Sequence, residues 1–273
     1  MLLMPKSRHL PNPDRISVLA ATILMAYVLT GFVSLPSREL SMQLPGIYLS
    51  IQLDVQKVIA VLITALTATG ADWLIHGHPA LKGKNTFQHW LLPALTAWAI
   101  GTILYQQPFG VLWWIVFSIG GLILISVLIA EYIVVDTEDI RHVPASIGLT
   151  AISFALYLTL TITIRAAQLR LFLLVPAISI AIGLTCLRTL HLRLRGQWAF
   201  VHTAIIALII GQIAAALNYL PLRPITFGLA LFGPAYALSS LAGGFLEEKP
   251  WQRTIAEPIL VLCVVWGIAL WIR

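Results

Sequence analysis

Hydrophobic residues in this chain come in long unbroken blocks, not in the short periodic clusters of a soluble fold. Nine blocks stand out: 16–35, 58–75, 90–106, 111–130, 147–164, 171–187, 201–220, 225–245 and 256–272. Each has the length, about 17–25 residues, at which an α-helix crosses about 30 Å of hydrocarbon. Helices are the required form, because a segment in lipid must satisfy its own backbone hydrogen bonds. Barrel strands are shorter and alternate, so continuous blocks exclude a transmembrane barrel. The breaks between blocks are turn-like, as in Tyr105–Gly110 and Pro221–Pro224. The pattern predicts an all-α polytopic transmembrane bundle of about nine spans. It forms one domain over 16–273, after a cytoplasmic segment 1–15.

One connection follows a different rule. From Leu40 to Leu53 the apolar positions alternate: Leu40, Met42 and Leu44, then Ile47, Leu49, Ile51 and Leu53, with Pro45-Gly46 between the runs. A turn there sets Leu44 opposite Ile47, Met42 opposite Leu49 and Leu40 opposite Ile51, all on one face. This predicts a small β-hairpin at 40–53 on the outer surface. A proline at the first turn position suits a hairpin badly, and an extended arm on the membrane is the alternative.

Composition agrees with a lipid solvent. The 273 residues are 59% hydrophobic and only 10% charged, against about 25% charged in a soluble domain. The mean hydropathy is +0.91. That excludes an ordinary soluble domain and a disordered chain. The net charge of +6 does not indicate nucleic acid, since the basic residues sit at block ends instead of forming a patch. With the N-terminus in the cytoplasm, eleven Lys and Arg fall inside and six outside, which orients the chain in a bacterial-type inner membrane. The apolar block after Lys6, Arg8 and Arg15 lacks a cleavage site and reads as a retained span. Seven of nine tryptophans lie near block ends, where an amphipathic ring suits the interface. Cys186 and Cys263 sit inside apolar blocks and show no disulfide or metal spacing.

The same orientation places all seven histidines and most acids on the inner side. Asp72 and His76 are four apart and share a helix face, with His78 next and His89 opening the third block. Imidazole and carboxylate at such spacing can hold a divalent metal, so Asp72, His76 and His78 are the metal candidates. The plainer reading pairs Asp72 with a basic neighbour. Asp72, His76, His89, Glu131 and His202 are the catalytic candidates. Glu131, Asp136, Glu138 and Asp139 resemble the acidic motifs of membrane prenyltransferases, but the connections that carry those motifs hold His, Lys and Arg here. Gly244–Arg253 resembles the Glu-Glu-x-x-x-Arg motif of intramembrane CAAX-type proteases with one residue too many. A salt-bridged loop explains it better.

For transport the candidates are polar groups in or near a span: Gln212, Asn218 and Tyr219. Ala204, Ala207, Gly211 and Ala214 form a small-residue ridge suited to close helix packing. Gly233-Pro234 leaves the Ala230 carbonyl without its helical donor and predicts a kink, and Gly243-Gly244 loosens that helix's inner end. No Asp, Glu, Lys or Arg lies at mid-span.

The segments Gly70-Ala71-Asp72-Trp73-Leu74, His89-Trp90-Leu91-Leu92-Pro93 and Ala216-Leu217-Asn218-Tyr219-Leu220-Pro221 resemble an uncharacterised family of bacterial multipass membrane proteins with a domain of unknown function. The resemblance covers most of the chain and implies no activity or cofactor. Membrane lipids are the expected partners, and nucleic acid is not. Three functional classes fit. The first is a structural or interaction component of the membrane. The second is a membrane-embedded enzyme acting on a lipid at the cytoplasmic interface. The third is a facilitator for a small neutral or amphipathic solute.

Overall fold

The computed structural model describes residues 12–31, 38–44, 47–53, 55–81, 86–136, 139–194, 196–248 and 250–272. Among them are nine α-helices: α1 (Pro13–Thr30), α2 (Val55–His76), α3 (Leu91–Gln106), α4 (Val111–Val134), α5 (His142–Ala166), α6 (Leu171–Arg193), α7 (Phe200–Asn218), α8 (Pro224–Leu246) and α9 (Trp251–Trp271). Two single 3-10 turns, Pro79–Leu81 and Phe87–His89, lie between α2 and α3. Strands β1 (Arg38–Leu44) and β2 (Ile47–Leu53) pair antiparallel, with Leu44 opposite Ile47, Met42 opposite Leu49 and Leu40 opposite Ile51. Pro45-Gly46 lies outside the described residues, as does Glu138.

Eight of these helices are long and apolar enough to cross a membrane. The exception is α3, the expected third span. Its 16 residues rise about 24 Å at 1.5 Å each, short of the hydrocarbon thickness. Each described helix except α3 overruns its apolar block at one end or both. α1 starts at Pro13 because Asn12 caps it, its Oδ1 accepting from the Asp14 amide at 3.0 Å. α4 runs past Glu131 and α6 past Arg188, so these residues are helical and not terminal.

The chain packs as two compact units, α1 to α4 and α5 to α9. In the N-terminal unit α3 is buried along most of its length, from Leu91 to Leu104. Gly101 leaves room for the Tyr27 ring and Ala60, and the Tyr27 hydroxyl donates to the Ala97 carbonyl at 2.5 Å. Gly120 of α4 sits against Ile100. Ile23, Leu74, Leu124 and Leu128 fill the core around them.

In the C-terminal unit α6 and α7 meet through small residues. A Cβ on Gly211 would lie 2.5 Å from Ser179 Oγ, and Gly183 faces Ala207. Gln212, next on α7, is exposed, so it does not bond across this contact. Ala204 is exposed too, and the ridge is carried by Ala207, Gly211 and Ala214. α8 is continuous through Gly233-Pro234. The Ala230 carbonyl that Pro234 leaves free accepts the Trp266 indole N–H of α9 at 3.2 Å, and Gly233 gives that ring its space. Gly243 faces Arg193 and Gly244 faces Thr254, so this pair makes room for neighbours instead of loosening the helix.

Hydroxyls inside the helices bond their own backbone. Thr67 donates to Ile63, Thr96 to Leu92, Ser153 to Leu149 and Thr185 to Ala181, each at 2.7–2.8 Å. This is the way a polar side chain becomes tolerable inside an apolar helix.

The α6–α7 contact gives a direct test. Gly211→Val should destabilise the protein by about 1–3 kcal/mol through overpacking against Ser179. Gly148→Ala, which meets nothing within 4 Å, should not. Thermal unfolding in detergent reads both.

Candidate functional site

The last turn of α2 presents Asp72 and His76 on one face, as their spacing requires. Asp72 Oδ1 accepts from the Thr86 hydroxyl and from the Trp90 indole N–H at 2.9 Å. His76 Nδ1 lies 3.1 Å from the same oxygen and 2.9 Å from the Asp72 carbonyl. Both neighbours are acceptors, so Nδ1 carries a proton. The ring itself is 59% exposed. Asp72 thus ties the segment entering α3 back onto α2.

His89 closes the second 3-10 turn. Its Nδ1 lies 2.7 Å from Glu131 Oε2, with the two side chains 3% and 1% exposed. The Gln88 amide nitrogen sits 3.0 Å from His89 Nε2. An amide NH₂ donates, so Nε2 accepts and Nδ1 donates to the carboxylate. Removing one partner would take this hydrogen bond from a group held away from water. The next residue repeats the tie: the Tyr132 ring packs on the buried His78 ring at 4.5 Å between centroids. From α1, the Arg15 guanidinium stacks over Trp73 at 5.2 Å. Four segments of the N-terminal unit therefore meet at one polar end.

Four of the five catalytic candidates lie at this end, in two separate pairs, Asp72–His76 and His89–Glu131. The metal triad does not form: His78 packs on Tyr132 instead of joining Asp72 and His76. Among the described residues no group of three or more His, Cys, Asp or Glu could hold a metal ion. The fifth candidate, His202, is in the other unit, exposed in the first turn of α7.

The ligand candidates do not converge. Gln212 is on the exposed side of α7, because Gly211 takes the face against α6. Asn218 Oδ1 accepts from Arg165 Nη1 at 2.6 Å, and Arg165 also stacks over Phe227 at 5.1 Å. Tyr219 is 78% exposed.

The C-terminal unit has a polar end of its own, which the sequence pattern understated. Arg188 is the largest fully buried side chain in the protein's described residues. Arg193 Nε donates to Glu247 Oε1 at 2.7 Å, the salt bridge expected near the Glu-Glu segment. The Tyr236 hydroxyl donates to Glu257 Oε1 at 2.6 Å. Before α5, Asp139 is buried and ion-paired. It accepts from Arg141 Nη2 at 2.8 Å, and this hydrogen bond pushes the Arg141 pKa above its ordinary value. The signal for Arg188 was the run Thr185, Arg188, Thr189 and His191 at the foot of an apolar block, polar residues too regularly spaced to be a loop.

Comparison with known proteins identifies one family. The model of a family described as protein of unknown function (DUF5656) matches residues 35–272. No curated protein and no solved structure matches the chain.

The buried pair yields a stability test. His89→Leu or Glu131→Leu alone should cost about 3–5 kcal/mol, because each removes a short hydrogen bond from a buried partner. The double variant His89→Leu/Glu131→Leu should recover much of that loss. A thermal or denaturant double-mutant cycle measures the coupling.

Proposed function

Because the chain belongs to the DUF5656 family of proteins of unknown function, we propose its role from its own geometry: a structural or interaction component of a bacterial-type inner membrane. One observation carries this reading. The carboxylates of the N-terminal unit's polar end are taken up in joining helices, Asp72 by Thr86, Trp90 and His76, and Glu131 by His89. Groups so engaged hold the fold, and they make poor acids or bases for a substrate. The partners of this component are lipids and other membrane proteins, not nucleic acid.

The topology goes with it. We place the N-terminus in the cytoplasm and count nine crossings, with α3 as the short one. Two facts support a crossing at α3: His89, just before it, meets Glu131 near one end of α4, and Ile100, midway along it, meets Gly120. The chain thus runs antiparallel to α4, from near its end back toward the turn at Gln107–Gly110. The strand pair then lies on the outer face, at the start of α2.

A second reading keeps one specific support. His76 is exposed while Asp72 orients its Nδ1, the arrangement of a general base held by a carboxylate. An enzyme acting on a lipid at the cytoplasmic interface would use it. The facilitator reading loses its supports, since Gln212 faces outward and Trp266 occupies the carbonyl freed at Gly233-Pro234.

Two measurements separate these readings. After mild detergent extraction, the structural component should copurify with defined membrane proteins or as a stable oligomer; a lone monomer would count against it. His76→Ala should leave membrane lipid composition unchanged. A changed composition, with the protein still folded, would favour the enzyme.

A further inference from the structure

The C-terminal unit holds an open-sided groove of about 670 Å³ lined by α5, α6, α8 and α9. This is within the range of about 300–1,000 Å³ common to ligand sites. Its lining is graded along its length. At one end are the foot of α6 and the head of α5, with Arg193, Ser146, Ser240 and Glu257. Deeper it is walled by Phe154, Leu158 and Phe232. Ser146 and Leu158 are a little over three turns apart on α5, about 18 Å at 1.5 Å per residue. The gradient runs as it does in one leaflet of a bilayer, ionic at the helix ends and apolar inward.

The charges at the mouth narrow the choice of occupant. Arg193 donates from Nε to Glu247 and from Nη1 to the Ser240 carbonyl at 3.2 Å, so neither bond uses Nη2. Glu257 accepts the Tyr236 hydroxyl at Oε1, is exposed, and keeps Oε2 for another donor. The described lining therefore offers one cation, Arg193, and one carboxylate, Glu257. A purely anionic headgroup would pair with Arg193 and leave Glu257 without a donor of its own. A headgroup with both a phosphate and an ammonium would satisfy both ends.

We propose that this groove seats one ethanolamine-type phospholipid. Its phosphate accepts from Arg193 Nη2, its primary ammonium donates to Glu257, and one acyl chain lies along Phe154, Leu158 and Phe232. A choline headgroup carries the same charges but has no N–H to donate to the carboxylate, so the site discriminates between the two. The inference rests on the membrane placement of this unit and not on the structural role proposed for the protein.

The test uses the full chain, purified in mild detergent and equilibrated with mixed micelles holding phosphatidylethanolamine, phosphatidylcholine and phosphatidylglycerol in equal amounts. Native mass spectrometry should show one phosphatidylethanolamine retained per chain, in preference to the other two. Glu257→Gln should lower that retention about tenfold, the loss of one charge-assisted contact. Leu158→Trp should lower it by filling the chain slot. Thermal unfolding at the wild-type temperature shows that each variant folds, and the two variants act on opposite ends of the ligand. Equal retention of the three lipids would overturn the proposal, as would unchanged retention in both folded variants. Displacement of the bound lipid by soluble glycerophosphoethanolamine, bound just as well without a chain, would also overturn it by assigning the groove to a soluble phosphoamine.

Discussion

A polar group carried into hydrocarbon has no water to bond with, and the arrangement of this protein follows from that. Transfer of an unpaired amide or hydroxyl to an apolar medium costs several kcal/mol, and an ion costs far more. Hydroxyls along the helices answer locally by bonding the carbonyl one turn back. Larger groups cannot, so they draw other segments toward them. Glu131 holds the turn bearing His89, Asp72 holds Thr86 and Trp90, and Arg193 holds Glu247. Among the described residues the buried hydroxyls of Tyr157, Thr203 and Thr226 lack a partner. All three are neutral, the class of group whose isolation costs least.

Packing supplies the other half. Lipid tails are as apolar as leucine, so helices gain little by hiding hydrophobic surface from lipid. Close approach is what favours contact, and the glycines mark where it happens: Gly101 beside Tyr27, Gly120 beside Ile100, Gly211 beside Ser179, Gly228 beside Ile162. Exposed Val, Leu and Ile along α7 and α9 complete the surface that such a solvent requires.

Much of the fold was legible in the sequence because the solvent leaves few options: a long apolar block must be a helix. The ends were less legible. The apolar blocks 111–130 and 171–187 stop at an ionisable residue, yet a helix stops only where its backbone stops. Glu131 and Arg188 therefore read as loop neighbours and proved to be buried helical residues. At the candidate site, spacing was enough to join Asp72 to His76. The link from His89 to Glu131 was not readable, because it depends on which helices are neighbours. Gln212 turns outward for a rotational reason: one residue along a helix turns a side chain by about 100°, and Gly211 takes the packed face. α3 reads in the sequence like any other span, because apolar length does not report how deeply a helix is buried in protein.

The joint between α8 and α9 shows what a proline inside a helix can do for its neighbour. Pro234 withholds one amide, and so the Ala230 carbonyl inside the helix loses its backbone donor and can accept from a neighbour. Gly233 opens the surface beside it, and Trp266 reaches in. Apolar helix faces slide and rotate against each other at little cost, but only one depth and one rotation of α9 bring its indole to that oxygen. The break thus works as an index mark, fixing by chemistry a docking position that shape alone would leave degenerate. α8 leaves the ribosome before α9, so the mark is already in place when the helix that reads it arrives.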